Sequence, residues 1–159
     1  MTLGIRFAEL SDVHLIADLI RALARFEKLE HIVSLTEDQL EKALFGPHPY
    51  AETLIAEDDG KAVGFALFFH TFSTFLAMPG IYLEDLFVVE DARGRGIGRS
   101  LLERLAQIAV DRGCGRLEWA VLNWNSDAIA FYERLGARPN SEWTVYRLAG
   151  EPLSRLARQ

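Results

Sequence analysis

The sequence has a single cysteine, Cys114, so it can form no internal disulfide and no cysteine-based metal cluster. That cysteine reads as a small buried hydrophobe. No run reaches the roughly 18 apolar residues needed to span a bilayer. The start, MTLGIRFAELSD, lacks the basic flank, apolar stretch and cleavage site of a secretory signal. These absences lead us to expect a cytoplasmic protein with no membrane partner. Positive charge is in deficit, with 17 Lys and Arg against 23 Asp and Glu and a net charge of −6, so nucleic-acid binding, which needs a broad basic footprint, is not expected. An acidic field suits a small cationic partner instead. Histidine is scarce: His14, His31, His48 and His70 are scattered, and no pair has metal-ligand spacing, so no metal is expected. Internal repeats and low-complexity linkers are also missing. What remains is ordinary globular usage, half hydrophobic and a quarter charged, in 159 residues, a length suited to one domain over residues 3 to 159.

The apolar periodicity then divides the chain. IRFAEL alternates like a short strand, and Ser11 and Asp12 offer caps for a helix whose apolar face is Val13, Ile16, Leu19, Ile20 and Leu23. Thr36 and Gln39 have capping-box spacing at the head of a second helix, with Leu40, Ala43 and Leu44 on its apolar face, ended before GPHP. Two β-rich runs, 53 to 57 and 61 to 70, flank Asp58, Asp59 and Gly60, residues that tolerate a tight turn, so they predict a hairpin. The run IYLEDLFVV is too continuously apolar for a one-sided surface strand and belongs inside a sheet. A helix with Leu101, Leu102, Leu105, Ile108 and Ala109 inward and Gly113 as its C-terminal cap follows. Strand RLEWAVL, loop NWNSD, helix AIAFYERL closed by Gly136, and a last strand WTVYRLA complete the pattern. The class is mixed α/β: a mainly antiparallel sheet with helices on both faces.

Between the inner strand and the third helix stands EDARGRGIGRSLLERL, residues 90 to 105. Closely spaced glycines let backbone N–H groups turn toward one point, and the helix that starts there adds unpaired N–H groups and its positive dipole end. Such a loop can cradle an anion. A P-loop requires Gly-Lys-Ser/Thr, whereas Gly98 is followed by Arg99 and Ser100. A dinucleotide fingerprint requires a sixth-position glycine, yet counting from Gly94 that place is Arg99, and from Gly96 it is Leu101. Arg93-Gly94-Arg95-Gly96-Ile97-Gly98 instead fits Arg/Gln-x-x-Gly-x-Gly/Ala. On its own letters the segment is compatible with a phosphate cradle or with a plain turn whose arginines sit in solvent.

Taken with YLEDLFV (82 to 88) and NWNSDAIAFYERLGA (123 to 137), the loop resembles the GNAT superfamily of N-acetyltransferases, and the similarity runs along essentially the whole chain. RFEKLE, LTEDQL, FGPHPY and VGFALFF narrow the resemblance to the spermidine/spermine (diamine) and thialysine acetyltransferase branch. The resemblance implies the GNAT fold, a central, mostly antiparallel twisted sheet whose splayed central strand pair receives acetyl-CoA as co-substrate, and a homodimer.

Residue by residue, it implies a pyrophosphate site made chiefly by backbone N–H groups of Arg95, Gly96, Ile97, Gly98, Arg99 and Ser100, with Arg93 and Gly94 opening the motif. It also implies a bulged strand around Leu86, Phe87 and Val88 that carries the pantetheine arm and polarises the acetyl carbonyl, and a distal CoA segment at Asn125, Ser126, Asp127 and Ala128. Tyr132 matches the tyrosine that protonates the departing sulfur, and Glu84 the carboxylate that contacts the amine and relays its proton. Asp85 falls on the opposite face of an ideal strand, so only one of the two would point inward, and the match favours Glu84. Phe26 and Glu27 match acceptor-lining positions, Phe26 lacking the hydroxyl of the branch's tyrosine, and Glu142 aligns with a further acceptor carboxylate. The activity so implied is direct acetyl transfer in a ternary complex to a polyamine, a diamine or a lysine-like amino acid. Other acceptors, a protein N-terminus, a lysine or an aminoglycoside, and a non-catalytic acetyl-CoA sensor are the competing readings.

Overall fold

The computed structural model describes residues 2–159, which form two compact units, one ending at Ala120 and the other Val121–Gln159. The first unit runs β1 (Leu3–Phe7), α1 (Val13–Phe26), α2 (Glu37–Phe45), β2 (Glu52–Asp58), β3 (Lys61–Ser73), β4 (Met78–Val88), α3 (Ile97–Asp111) and β5 (Leu117–Trp119). Its sheet has the order β1-β2-β3-β4-β5; the first four strands pair antiparallel and β5 lies parallel to β4. β4 is therefore interior, as its continuous apolar run required.

One face of this sheet carries α1 and α2. Leu19 and Leu23 of α1 pack with Phe65 and Phe87, while Ile16, Leu44 of α2 and Ile55 form a second cluster. Strand alternation turns the intervening Leu54, Ala66 and Phe68, all fully buried, to the other face, where α3 lies along the sheet with Ile97, Leu101 and Leu105 buried. Truncating either wholly buried phenylalanine, Phe65 or Phe68, to alanine is expected to cost about 3 to 5 kcal/mol.

The helix ends are set by local chemistry. Thr36 and Gln39 form the expected capping box at the start of α2, Gln39 N–H to Thr36 Oγ1 at 3.2 Å and Thr36 N–H to Gln39 Oε1 at 2.9 Å. At the end of α1, the N–H of Leu29 bonds to Ala24 O and that of Lys28 to Arg25 O, a Schellman closure with Lys28 in the left-handed region at φ 61°. This closure leaves Glu27 just beyond the last turn. α3 ends the same way through Gly113 (φ 70°) and Cys114, which is half-buried. The β2–β3 turn uses Asp59 (φ 50°) and Gly60 (φ 80°), the residues the hairpin pattern singled out.

Two irregularities shape β4. Opposite Leu67 and Phe68 stand Asp85 and Leu83, so Glu84 is an extra residue without a ladder partner, a β-bulge. On its other side, β4 pairs with β5 only over Ile81 to Leu83; from Glu84 onward that edge of the strand has no ladder partner among the described residues.

The second unit holds α4 (Ser126–Arg134) and α5 (Gly150–Ala157). The last strand expected at 143 to 149 is not formed, and the chain goes on to α5, which the sequence pattern did not indicate. Alternating β-formers make a strand only when a ladder partner is present, and Trp143, Val145 and Tyr146 are instead 73, 90 and 93% exposed. Pro152 suits the first turn of α5, where its missing N–H would have no helical partner. The strand expected over 116 to 122 is likewise cut to three residues. No helix among the described residues is long and apolar enough to cross a membrane.

Candidate active site

The bulge decides which carboxylate is withdrawn from water. Asp85 pairs with Leu67, and Leu67 belongs to the cluster under α1, so directly opposed side chains put Asp85 on the α1 face. Leu83, two residues earlier, pairs with buried Phe68 on the other face; without the extra residue Leu83 and Asp85 would share one side. Glu84, at the bulge, is exposed. The resemblance had favoured Glu84 as the inward group; the fold instead withdraws Asp85 from water and leaves Glu84 exposed.

The electrostatics agree with this placement. Loss of water, then repulsion from Glu84 and Glu27, pushes Asp85 up to about 6. Burial also raises Glu27 above the usual carboxylate range. Glu27, Glu84 and Asp85 thus form an acidic set at the end of α1 and the middle of β4. Tyr82 on the same strand is raised by burial, Glu84 and Glu118.

The glycine loop has the geometry of an anion cradle. Gly94 and Gly96 adopt left-handed φ values of 75° and 79°, and an added Cβ at either would meet nothing within 4 Å, so the backbone is bare and accessible there. Gly96 caps α3, and the N–H groups of Ile97, Gly98 and Arg99 open its first turn with no helical carbonyl behind them. Ser100 is already committed: its N–H bonds to Gly96 O at 3.0 Å and its hydroxyl donates to the same oxygen at 3.1 Å. The free donors therefore end at Arg99, one residue short of the expected stretch.

The loop arginines all have protein partners. Arg93 donates from Nε to Val88 O at 2.9 Å and lays its guanidinium 4.5 Å from the Phe26 ring centre and 5.4 Å from that of Phe87, joining the exit of β4 to the end of α1. Arg95 pairs with Asp58, and Arg99 with Glu103 one turn along α3 at 2.8 Å. The backbone is what the loop leaves available to a phosphate.

In the second unit, Asn125 caps α4 by accepting the Ala128 N–H at 3.3 Å, which puts Asn125, Ser126, Asp127 and Ala128 at a helix start, the position expected of a CoA-contacting segment. Tyr132 lies on the same helix, half-buried, its ring 5.5 Å from that of Phe131. Glu142 is exposed in the stretch before α5.

Residues 16–137 match the model of the acetyltransferase (GNAT) family. The chain belongs to that family. Over 96% of its length this acetyltransferase is 37% identical to a thialysine N-epsilon-acetyltransferase of Mus musculus, covering 96% of that protein. It is 33% identical to the L-ornithine N5-acetyltransferase NATA1 of Arabidopsis thaliana, over 96% of this chain and 86% of that one. Among solved structures, an integron cassette protein from V. cholerae superposes with a TM-score of 0.84 at 30% identity, covering 100% of this chain and 99% of its own. The enzyme is an acyltransferase of a family that uses acetyl-CoA as co-substrate, and its bare glycine backbone and open helix start fit an acyl donor that carries a pyrophosphate.

Sequence reasoning passed over two carboxylates that the fold brings forward. Asp85 was set aside because the match favoured Glu84, and a bulge leaves no mark in a single sequence. Asp58 read only as a turn residue, because 37 positions separate it from Arg95.

Proposed function

We propose that this acetyltransferase moves the acetyl group of acetyl-CoA to the amine of a small cationic acceptor, a polyamine, a diamine or a lysine-like amino acid, by direct transfer in a ternary complex, with residues 3–159 acting as one domain. The observation that carries the proposal is the acidic set of Glu27, Glu84 and Asp85, in which burial and like charge raise Asp85 and burial raises Glu27. An amine that is protonated in water relieves that repulsion, and a carboxyl near pH 6 can accept a proton as the nitrogen becomes a nucleophile. The relatives' acceptors, thialysine and ornithine, are short amino acids with a terminal amine, in keeping with such a site.

When bound, acetyl-CoA supplies the thioester to be cleaved. The glycine loop and the start of α3 hold its pyrophosphate through backbone N–H groups, and the β4 edge beyond Glu84, at Leu86 to Val88, offers backbone donors for the pantetheine arm and the acetyl carbonyl. Tyr132 is proposed to protonate the thiolate, Phe26 to line the acceptor side, and Glu142 to make a more distant acceptor contact. A homodimer, expected of the branch, completes the proposal; a single-chain mass in sedimentation would remove that part.

The deciding experiment is an acceptor screen with free-thiol detection over putrescine, spermidine, thialysine, ornithine, peptides and an aminoglycoside. Thiol release with one or more of the small amines, and not with peptides or the aminoglycoside, is the expected result. No release with any acceptor, together with no binding of CoA, would sink the proposal. Donor binding without turnover, unaffected by Tyr132→Phe, would mark a sensor.

A further inference from the structure

We infer that Asp58 is a positioning residue for the acetyl-CoA loop, holding it in cradle shape through Arg95; the inference rests on the donor-binding reading above. Asp58 ends β2 on the α3 side of the sheet, sharing a face with Leu54 and Ala56, while Ile55 packs under α1 and α2. Its side chain is only 14% exposed. One carboxylate oxygen receives the Arg95 guanidinium, and the other is buried with no hydrogen-bond partner among the described residues. A carboxylate so withdrawn from water is costly unless paired, and among the described residues Arg95 is the cation within ion-pair distance of it.

The loop on the other side of this pair is the part that needs fixing. Arg95 stands between two left-handed glycines, Gly94 and Gly96, so the backbone on both sides of it has the widest conformational choice available to the chain. A single side-chain tether at that point selects one loop shape before the donor arrives, which lowers the ordering cost of binding. The anchor is firm. Asp58 borders the tight Asp59-Gly60 turn, and the hairpin's Val63 O accepts the Val89 N–H at 2.9 Å, fastening it to the exit of β4 from which the loop departs. Arg95 thus acts through the shape it gives the cradle, with its charge already matched by Asp58.

Calorimetric titration with CoA is the test, with the intact chain and wild type first: no binding by wild type would overturn the donor reading itself, before Asp58 is at issue. Given wild-type binding, Arg95→Gln and Asp58→Asn should each weaken CoA about tenfold, the scale of a coupling between contacting side chains. The loss should fall on the KM for acetyl-CoA rather than on that for the amine. The double variant should bind no more weakly than either single one, and Asp58→Glu should restore part of the loss. With S-acetylpantetheine as donor, which lacks the pyrophosphate, the variants should match wild type. Unchanged CoA affinity in Arg95→Gln, additive losses, or an equal loss with S-acetylpantetheine would overturn the inference. So would tighter binding in Asp58→Asn, the mark of a carboxylate competing with phosphate for Arg95. If Asp58→Asn fails to fold, Arg95→Gln, altered at a partly exposed side chain, decides the matter with its melting temperature as control.

Discussion

Replacing Asp85 with asparagine should make the enzyme more stable and less active, and the gain in stability should depend on pH in a defined way. The carboxyl is isosteric with the amide, so packing against Leu67 and α1 is retained while the charge goes. In the unfolded chain an aspartate titrates at 3.8, and in the folded protein Asp85 is raised to about 6. Between those two values the folded state holds more protons than the unfolded one, so wild-type stability falls as pH rises through this window and levels off above it. A displacement of roughly two pH units corresponds to about 3 kcal/mol at pH 7, shrinking to about 1.5 kcal/mol at pH 5 and below about 1 kcal/mol at pH 4. Asp85→Asn has no such loss. Urea unfolding of both proteins at the three pH values measures the gap, which at pH 7 should move the midpoint by about 1 to 2 M for a typical urea slope. In parallel, kcat/KM for the amine should fall, and the limb of its pH profile with an apparent pKa near 6 should disappear. A stability gap that stays constant from pH 4 to 7, or an asparagine variant less stable than wild type at pH 7, would refute the reasoning, because it would show that the ionised carboxylate is stabilised in the fold.

Further outcomes follow from the same geometry. Glu84→Gln removes the larger of the two charges that repel Asp85 and should move the acid limb of the profile to lower pH; an unmoved limb would separate the two groups. Tyr132→Phe should lower kcat by about a hundredfold or more with the acetyl-CoA KM little changed, as measured by steady-state thiol release. Gly96→Val places a branched residue at φ 79°, and although space is open around it, the strain of about 1 to 3 kcal/mol should appear in the melting curve together with weaker CoA binding. Gly64→Ala should destabilise the β3–β4 seam by about 1 to 3 kcal/mol, since its Cβ would lie 2.7 Å from the Phe87 carbonyl oxygen; a variant as stable as wild type would show that the seam yields.

What could be read from the sequence was what local chemistry dictates. The capping box at Thr36, the turn at Asp59 and Gly60, the inward face of α3 and the left-handed cap at Gly113 each depend on a few adjacent residues, and each is present. The glycine loop was legible for the same reason, since positive φ values and an open helix start are properties of Gly94, Gly96 and the residues beside them. What failed depended on partners distant in sequence. WTVYRLA has the composition of a strand and joins no ladder among the described residues, and the burial of Asp85 rather than Glu84 follows from an extra residue that shows only in the pairing with β3. A bulge changes the side of the sheet reached by every residue after it, so one unread position decides which of two neighbouring carboxylates is buried.

The arginines make the same distinction within a single loop. By composition Arg93, Arg95 and Arg99 look like a positive patch aimed at phosphate, and charge alone would assign all three to the donor. In the fold each guanidinium is engaged at a different place: Arg93 on Phe26, Phe87 and the Val88 carbonyl, Arg95 on Asp58, Arg99 on Glu103. An anion at this loop therefore meets backbone donors and the dipole of α3, which no side-chain substitution removes, while the arginines connect the loop to Phe26 and Phe87, to the β2–β3 hairpin and to its own helix. Changing an arginine should then alter where the loop sits more than how strongly it attracts charge. Consequently the salt dependence of CoA binding should change little between wild type and Arg95→Gln even where the affinity falls, whereas an arginine in direct contact with phosphate would lose part of that dependence when removed.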